Sequence, residues 1–302
     1  MINKDTFHFY LILTIELLFS PWLYLYEELK KLFSKFTIKK TRITLRTPIH
    51  QNIIYIGIHE WGGYPLSREK QIKHGTKFTC GLQYQLERFN TYKGKYNIDI
   101  TLTLSDANIY QNKDFLKGKI NHLLEVSNKG FDFSGYANFY RSIKNKKNSY
   151  VILSNSSINS IQDEFLDSYI EYFENNLDIG ILGVSYCTKR IQSLIRNNFT
   201  PHIQSFFYLT TIETLNKIVQ YNHNSFPGEG ITHKLLLIRK GEIKMSQIAL
   251  NLGYSLAVVL EDGDVYKFRK NHFLDNGYHR WTIHKGELRQ HIKTPNKINP
   301  IQ

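Results

Sequence analysis

The chain has 302 residues, of which 41% are hydrophobic and 22% charged; this composition supports a sizeable folded core and excludes a mostly disordered chain. Lys and Arg outnumber Asp and Glu by 39 to 26, and the net charge of +13 favours an anionic partner: a nucleic acid, an anionic membrane surface or a phosphorylated substrate. The two cysteines, Cys80 and Cys187, have neither disulfide nor metal spacing, which indicates thiols in a reducing compartment. An A+T-rich genome also produces a chain rich in Lys, Asn, Ile and Tyr, so charge alone does not identify the partner.

The first segment, residues 7–26, reads FHFYLILTIELLFSPWLYLY and nearly reaches the ~20 residues of a membrane span. Glu16 and Pro21 argue against spanning, because a carboxylate at the bilayer centre costs about 2.5–3.5 kcal/mol. Six cations follow: Lys30, Lys31, Lys35, Lys39, Lys40 and Arg42. We therefore predict that residues 1–42 form a helix and basic segment attached to the cytoplasmic side of the inner membrane, in a peripheral or monotopic manner. The alternative is an N-terminal helix packed on the core.

From residue 52 onwards, apolar runs alternate with helical patterns. We predict strands over 52–58, 98–105, 122–127, 150–155, 179–185 and 203–211. We predict helices over 78–89, 135–143, 161–175, 212–220 and the first part of 244–260, where Gly253 separates the helix from a further strand. This alternation predicts an α/β domain over residues 43–282, with a mainly parallel central sheet flanked by helices. Residues 283–302 are basic and poorly periodic, and we predict that they form a C-terminal tail.

Several common active-site motifs are missing from the sequence. It has no G-x-G-x-x-G after a strand, no G-x-x-x-x-G-K-[ST], no G-x-S-x-G and no H-E-x-x-H. Four polar clusters remain at element boundaries, and they contain Asp132, Asn155-Ser156-Ser157, His202 with Gln204, and Glu242 with Ser246. Each has a structural explanation when taken alone: a helix cap for Asp132, a turn for Asn155, a buried hydrogen-bonded histidine for His202, and a helix-dipole partner for Glu242.

Taken in order, these clusters resemble the motifs of bacterial glycosyltransferases related to the rhamnan-synthesis F type. The matching strings are Asn128-Lys129-Gly130-Phe131-Asp132, Asn155-Ser156-Ser157, Gly183-Val184-Ser185, Pro201-His202-Ile203-Gln204-Ser205, and Glu242 with Ser246, Gln247, Gly253 and Tyr254. The resemblance covers about residues 50–260. It implies a GT-A-like nucleotide-sugar fold. It also implies transfer of a sugar from a nucleotide-sugar donor to a glycan or lipid-linked acceptor, in the synthesis of cell-surface polysaccharide such as capsule.

The chain departs from common GT-A enzymes at Asn155-Ser156-Ser157, where those enzymes carry an Asp-x-Asp that holds a divalent metal. Amide and hydroxyl groups are poor ligands for Mg²⁺ or Mn²⁺ unless carboxylates join them, so we assign no metal ligand. A divalent cofactor is compatible with the sequence but not expected from it. We expect this corner to bind the donor sugar or diphosphate through hydrogen bonds.

Sugar transfer requires a base for the acceptor hydroxyl, a bound donor and stabilisation of the leaving diphosphate. For the base, we rank Glu242 slightly ahead of His202, with Glu229 third. We assign Asp132 to the nucleotide side and expect substrate binding from it and from Asn155, Ser156, Ser157, Gln204 and Ser205. The candidates for stabilising the diphosphate are Lys189, Arg190 and Arg196, whose alternative is a solvated basic loop.

Two other classes of function stay open at this point. The charge of +13, together with 20 Tyr and 19 Phe residues, would suit a nucleic-acid-binding groove. No helix-turn-helix, RRM or zinc-finger pattern supports that reading, so a nucleic acid is not the expected partner. A non-catalytic, membrane-associated scaffold would keep the fold without the metal motif.

Overall fold

The structure is a computed structural model of the chain, and it describes residues 3–22, 25–26, 29, 32, 43–71, 77–187, 202–260, 262–269 and 295–299. Within these ranges the strands are β1 (Ile53–Trp61), β2 (Arg68–Gln71), β3 (Lys77–Cys80), β4 (Asn97–Ser105), β5 (His122–Val126), β6 (Tyr150–Asn155), β7 (Ile179–Gly183), β8 (Tyr186–Cys187), β9 (His202–Ile203), β10 (Phe207–Thr211), β11 (Ser255–Val259) and β12 (Val265–Phe268). The α-helices are α1 (Lys4–Leu18), α2 (Leu82–Asn90), α3 (Asp132–Ile143), α4 (Leu166–Asn175), α5 (Ile212–Tyr221), α6 (Lys234–Leu237) and α7 (Lys244–Asn251).

Eight of the described strands form one sheet, in the order β12-β11-β7-β10-β6-β1-β4-β5. The strands β6, β1, β4 and β5 are parallel to one another, and β7 is parallel to β11. In contrast, β10 is antiparallel to both of its neighbours, and β12 is antiparallel to β11. The prediction of a mixed α/β fold with a large, mostly parallel sheet and flanking helices is therefore confirmed at this level.

Three elements differ from the sequence-based prediction. Strand β1 continues to Trp61 instead of ending at residue 58, because its pairing with β4 extends along its whole length. Residues 77–80 form β3, which pairs with β2, although a helix was predicted from residue 78. The predicted strand over 203–211 is divided by a turn at 204–206, and its first part, β9, pairs with β8 outside the main sheet.

Apolar side chains cover both faces of the sheet. Along β1, Ile54, Ile56 and Ile58 lie on one face, in a cluster that includes residues of α2 and α4. Tyr55 lies on the other face with residues of α3 and α5, as the alternation of side chains along a strand requires. The same alternation places His59 on the α3 side, at the carboxyl end of the strand.

The N-terminal helix α1 packs one of its sides against the segment around α6. Phe9 is buried and stacks on His233, with 4.3 Å between the ring centroids. Glu16 is only 5% exposed and pairs with Arg239 at 2.7 Å, so this carboxylate anchors the helix to the body of the protein. Among the described residues, no helix is long and apolar enough to cross a membrane.

Part of the segment predicted as a basic tail is packed on the domain. Ile298 is buried, and its amide donates a hydrogen bond to Oγ of Ser168 on α4 at 3.2 Å. The amide of Asn299 donates to the carbonyl of Gly263 at 3.0 Å. Residues 295–299 therefore belong to the folded body, while the rest of 283–302 lies outside the described residues.

Candidate functional site

A pocket of about 560 Å³ opens at the carboxyl ends of β1 and β6, where α/β folds commonly bind ligands. His59 of β1 and Asn155 of β6 are partners in the ladder, and both line this pocket. The other lining residues come from the end of β1 and the segment after it, the region around the start of α3, the residues after β6, the turn before β10, and the helical segment from α6 onwards: Glu60, Trp61, Tyr64, Arg68, Asn128, Phe131, Asp132, Phe133, Ser156, Ser157, Gln204, Ser205, Phe206, Lys234, Leu237, Ile238 and Glu242.

Asn155 connects the polar corner of β6 to the start of α3. Its Nδ2 donates to Oδ2 of Asp132 at 2.6 Å, and its Oδ1 accepts from the Ser157 amide at 2.9 Å. The second bond makes an Asx turn, so the turn explanation for Asn155 is correct. The first bond links that turn to a carboxylate in the pocket wall. Asp132 itself is not a cap, because it is the first residue of α3 and Phe131 occupies the N-cap position.

The turn before α3 has an unusual backbone. Gly130 has a φ of +97°, and Phe131, which is not a glycine, has a φ of 48°. Such a residue costs about 1–3 kcal/mol of backbone strain, which the surrounding structure must offset. Gly130 is also required sterically, since a Cβ there would lie 2.6 Å from the amide nitrogen of Gly230. This strained turn is what places Asp132 next to Asn155.

Glu242 is the carboxylate contributed by the helical segment. Its Oε2 accepts from the Ser205 amide at 2.7 Å, and its Oε1 lies 3.4 Å from Nε2 of His202. Burial alone would raise the pKa of Glu242, but the hydrogen bonds from His202 and Ser205 and the charge of His202 outweigh burial and lower it. Glu242 is therefore an ionised group at neutral pH, held in place by the Ser205 amide and by its contact with His202.

The place of Glu242 in its helix differs from the prediction. Glu242 does not begin a helix but lies in a π-helical turn, Ile238–Ile243, between α6 and α7. The helix-dipole explanation is therefore wrong, because it requires a position in a first turn. π-Helical turns of this kind are frequent at functional sites. Ser246, one turn further on, accepts a hydrogen bond from the Ile203 amide at 3.1 Å. Glu242 and Ser246 therefore both bind backbone amides of residues 203–205.

The two-residue spacing of His202 and Gln204 predicts that both side chains lie on one face of a strand, but the structure separates them. His202 is fully buried against Glu242 and does not line the pocket, whereas Gln204 lines it from the turn after β9. The two residues diverge because β9 ends at Ile203 and the chain turns before β10 begins. Gln204 is held by Ser185, whose Oγ donates to Oε1 of Gln204 at 2.5 Å.

Trp61, Tyr64 and Arg68 form a wall of the pocket that sequence reasoning did not select. Nε1 of Trp61 donates to Oδ2 of Asp106 at 2.7 Å, and the Trp61 ring meets Tyr64 edge-on with 4.8 Å between centroids. The guanidinium carbon of Arg68 lies 3.9 Å from the centroid of the Tyr64 ring, in a cation–π contact. Aromatic and guanidinium groups arranged in this way provide a stacking surface for a flat ligand such as a nucleobase.

Glu60 is a second carboxylate that sequence reasoning did not select, and it is only 2% exposed. Its Oε1 accepts from Oγ of Ser156 at 2.8 Å, and its Oε2 lies 3.6 Å from Nη1 of Arg68. Burial raises the pKa of Glu60 to about 7, despite the opposing effects of Arg68 and Ser156. The sequence contained a signal for this site, since the apolar run of β1 ends in His59-Glu60 as that of β6 ends in Asn155.

The side chain of His59, a residue of β1, lies between β4 and α3. Its Nδ1 is 3.2 Å from Oγ1 of Thr103, and burial lowers its pKa. Gly135 of α3 lies directly against it, because a Cβ at position 135 would be 2.2 Å from Nδ1 of His59. The glycine therefore allows a helix and a strand to approach each other, rather than a ligand to approach the backbone.

Among the described residues, one further candidate, Glu229, is not brought to the pocket. Glu229, the third candidate base, pairs with Arg141 at 2.7 Å and is not among the lining residues. Lys189, Arg190 and Arg196 lie outside the described residues.

The carboxylates of the pocket do not fit the divalent-metal site of Asp-x-Asp enzymes. Glu60 faces Arg68, Asp132 accepts from Asn155, and Glu242 is held by His202 and the Ser205 amide. A hard cation such as Mg²⁺ needs several oxygen ligands at once, and each of these three carboxylates already lies beside a protein cation or donor. In the part of the chain that is described, no group of three or more His, Cys, Asp or Glu side chains is arranged to hold a metal ion.

No family model and no curated protein matches the chain. A solved structure with some similarity is that of a cytidylyltransferase from Leptospira borgpetersenii serovar Hardjo-bovis, at 17% sequence identity and a TM-score of 0.35. The match covers 57% of this chain and 65% of that chain, so slightly less than two thirds of the neighbour's length is spanned. A TM-score this low assigns neither fold nor activity to the chain.

Proposed function

We propose that the protein is a glycosyltransferase, which moves a sugar from a nucleotide-sugar donor to a glycan or lipid-linked acceptor. One observation carries the proposal. Asp132, Asn155–Ser157, Gln204–Ser205 and Glu242 come from distant parts of the sequence, and all of them line a single pocket. All of them are residues that the resemblance to glycosyltransferases singled out, and of the two leading candidates for the base and the predicted substrate-binding residues only His202 lies outside the pocket lining. A set of unrelated caps and turns would have no reason to converge in this way.

In this proposal, the Asp132–Asn155 pair and the hydroxyls of Ser156 and Ser157 bind the donor. The acceptor hydroxyl attacks the anomeric carbon, the bond from that carbon to the diphosphate oxygen breaks, and the hydroxyl proton passes to a base. Of the two leading candidates only Glu242 lines the pocket, so we assign it as the base and His202 as the residue that positions it. The lowered pKa keeps Glu242 ionised and able to accept a proton, although it limits its strength as a base.

The test has a binding arm and a turnover arm. Nucleoside diphosphates are screened for an increase in the melting temperature of the protein, and the matching nucleotide sugars are then assayed by mass spectrometry for sugar transfer or slow hydrolysis. A nucleoside diphosphate that stabilises the protein, followed by release of that same product from its sugar donor, supports the proposal. Salt-dependent binding of an oligonucleotide without any nucleotide effect would favour the nucleic-acid function. No response to either would favour a non-catalytic scaffold.

We further propose that α1 attaches the protein to an anionic membrane surface on the cytoplasmic side of the inner membrane. The side of α1 that faces away from the body exposes large apolar residues at helical spacing: Phe7 is 60% exposed, Leu11 46%, Ile15 47% and Leu18 71%. Six cations lie between positions 30 and 42 of the sequence, and their charge complements anionic lipid headgroups. An apolar helical face followed by cations fits a helix that lies in the plane of the interface.

The membrane proposal is tested by co-sedimentation with vesicles of phosphatidylglycerol and phosphatidylcholine, compared with phosphatidylcholine alone. The variant L11E/I15E places two charges on the exposed apolar side, while Q111E/N145D adds two charges at exposed polar positions outside α1. We expect L11E/I15E to abolish binding and Q111E/N145D to keep most of it. Point variants are needed because deleting α1 would expose Leu236 and leave Arg239 without Glu16. A wild-type protein that does not bind the anionic vesicles at low salt would overturn this proposal.

A further inference from the structure

The β2–β3 hairpin brings two cations to the polar corner of β6. Burial alternates along β2, so Arg68 and Lys70 point towards the protein while Glu69 and Gln71 are exposed. Nη2 of Arg68 donates to Oγ of Ser156 at 2.7 Å, and Nζ of Lys70 donates to Oγ of Ser157 at 2.5 Å. Both hydroxyls, and Arg68 itself, line the pocket described above.

This pair of cations keeps hydrogen-bonding capacity that the described residues do not use. The Arg68 side chain is only 10% exposed, and within the described chain neither its Nε nor its Nη1 has a hydrogen-bond acceptor. Glu60 lies 3.6 Å from Nη1, and the charges of Asp132 and Glu60 both act on the half-buried Lys70. Burial and the charge of Arg68 nevertheless lower the pKa of Lys70. Buried donors are costly unless they are paired, so this arrangement favours the binding of an acceptor such as an anion.

The Ser157 hydroxyl indicates where that anion would bind. Because Oγ of Ser157 accepts from Lys70, the hydrogen of the same hydroxyl is left to donate elsewhere. Ser157 lines the pocket, so a ligand there can accept that hydrogen. Arg68 contributes a planar guanidinium, which matches the geometry of phosphate oxygens.

We infer that Arg68 and Lys70, acting with the hydroxyl of Ser157, form an anion subsite that binds the phosphate groups of a ligand in this pocket, while Ser156, which donates to Glu60, holds the Arg68 guanidinium in place. The identification of that ligand as the diphosphate of a nucleotide-sugar donor rests on the function proposed above. In sugar transfer the diphosphate leaves with added negative charge, and fixed cations stabilise a leaving group of this kind. The subsite supplies this stabilisation at the strand end where Asp-x-Asp enzymes hold a metal.

Isothermal titration of the full-length protein with inorganic pyrophosphate, in a buffer that contains EDTA, tests the subsite without any assumption about the base or the sugar. Hydrogen bonds to charged groups contribute more to a binding free energy than neutral ones do. Lys70→Gln and Arg68→Lys should therefore each weaken pyrophosphate binding by about 10- to 100-fold. Both substitutions are conservative: Gln at position 70 can still donate to Ser157, and Lys at position 68 leaves a cation beside Glu60. Lys77→Gln, which removes an exposed cation from β3 of the same hairpin, should leave the affinity within about twofold.

The outcomes separate this inference from the proposed function. If pyrophosphate does not bind, or binds equally well to the wild type, Arg68→Lys and Lys70→Gln, the subsite does not exist, even if the enzyme transfers sugar. If binding depends on both residues but no nucleotide sugar is turned over, the subsite stands and the proposed function fails. A loss of affinity in Lys77→Gln as large as in Lys70→Gln would show that only the general charge of the hairpin matters, and it would overturn the inference. Circular dichroism melts of each variant establish that a lost affinity is not caused by unfolding.

Discussion

Replacing Glu60 with Gln tests whether the carboxylate at the end of β1 is as deeply buried as the structure indicates. Glu60 is 2% exposed, and burial raises its pKa from 4.5 to about 7. A raised carboxyl pKa means that the folded state holds the proton more tightly than the unfolded state. The unfolding free energy of the wild-type protein therefore falls as the pH rises from about 4.5 to 7, and this loss is complete above pH 7.

The magnitude follows from the pKa values. One pKa unit corresponds to about 1.36 kcal/mol, so a rise from 4.5 to about 7 corresponds to a cost of about 3 kcal/mol at pH 8. The glutamine side chain of the Glu60→Gln variant cannot titrate, but its carbonyl can still accept from Ser156. The difference in unfolding free energy between Glu60→Gln and wild type should therefore increase by about 3 kcal/mol in favour of the variant between pH 4.5 and pH 8.

Urea denaturation of both proteins at several pH values between 4.5 and 8 gives this difference directly, because titrations that the two proteins share cancel. Glu69→Gln is the matched control, since Glu69 lies on the exposed side of β2 and its replacement removes the same charge. We expect the control difference to stay nearly constant with pH. A flat difference for Glu60→Gln as well would refute the reasoning, because Glu60 would then be solvated or fully compensated by Arg68.

Three further predictions concern turnover, packing and metal. Glu242→Gln removes the proposed base and should reduce sugar transfer by ~10²–10⁴-fold with little change in nucleoside diphosphate affinity; a loss below tenfold would show that Glu242 is not the base. Gly135→Ala should lower the unfolding free energy in urea by about 1–3 kcal/mol, since its Cβ would meet His59 at 2.2 Å, and unchanged stability would contradict that contact. Nucleoside diphosphate affinity, measured by calorimetry, should persist in EDTA because the end of β6 presents Asn155, Ser156 and Ser157, which are poor ligands for a divalent cation; complete loss with chelator would contradict this.

The central strands were predictable because the sheet is covered on both faces. Such strands must be apolar along most of their length, so β1, β6 and β7 stand out as continuous runs in the sequence. The polar end of β6 was predictable as well, because a buried strand that stops at Asn155 needs either a turn or a ligand there. In the structure, Asn155 both forms a turn with Ser157 and donates a hydrogen bond to Asp132, a carboxylate of the pocket.

The β2–β3 hairpin was not predictable from its composition. Strand β2 reads Arg-Glu-Lys-Gln and has no apolar residue, so its alternation of buried and exposed positions is hidden in a run of polar residues. Its burial depends on the distant Ser156 and Ser157, to which the cations donate. Contacts between such distant polar residues leave no periodic signal in a single sequence.

The π-helical turn before α7 was not predicted either. The predicted helix begins at residue 244, after this turn. In the structure, Gly241 lies within the helical segment that continues from α6 to α7. A Cβ at position 241 would lie 3.0 Å from the Phe133 ring, so the glycine allows α3 to pack closely against the turn. The turn directs Glu242 towards Ser205 and His202.

The position of α1 relative to the pocket connects the two proposals about substrate and membrane. Leu236 of α6 packs against Phe9 of α1, while Lys234 and Leu237 of the same short helix line the pocket. One turn of helix therefore separates α1 from the pocket. If α1 lies in the plane of a bilayer, as proposed above, the pocket is held close to the headgroups, where a lipid-linked acceptor is concentrated and a soluble glycan is not. On the two proposals together, we expect the lipid-linked acceptor of the two acceptor classes that the sequence left open.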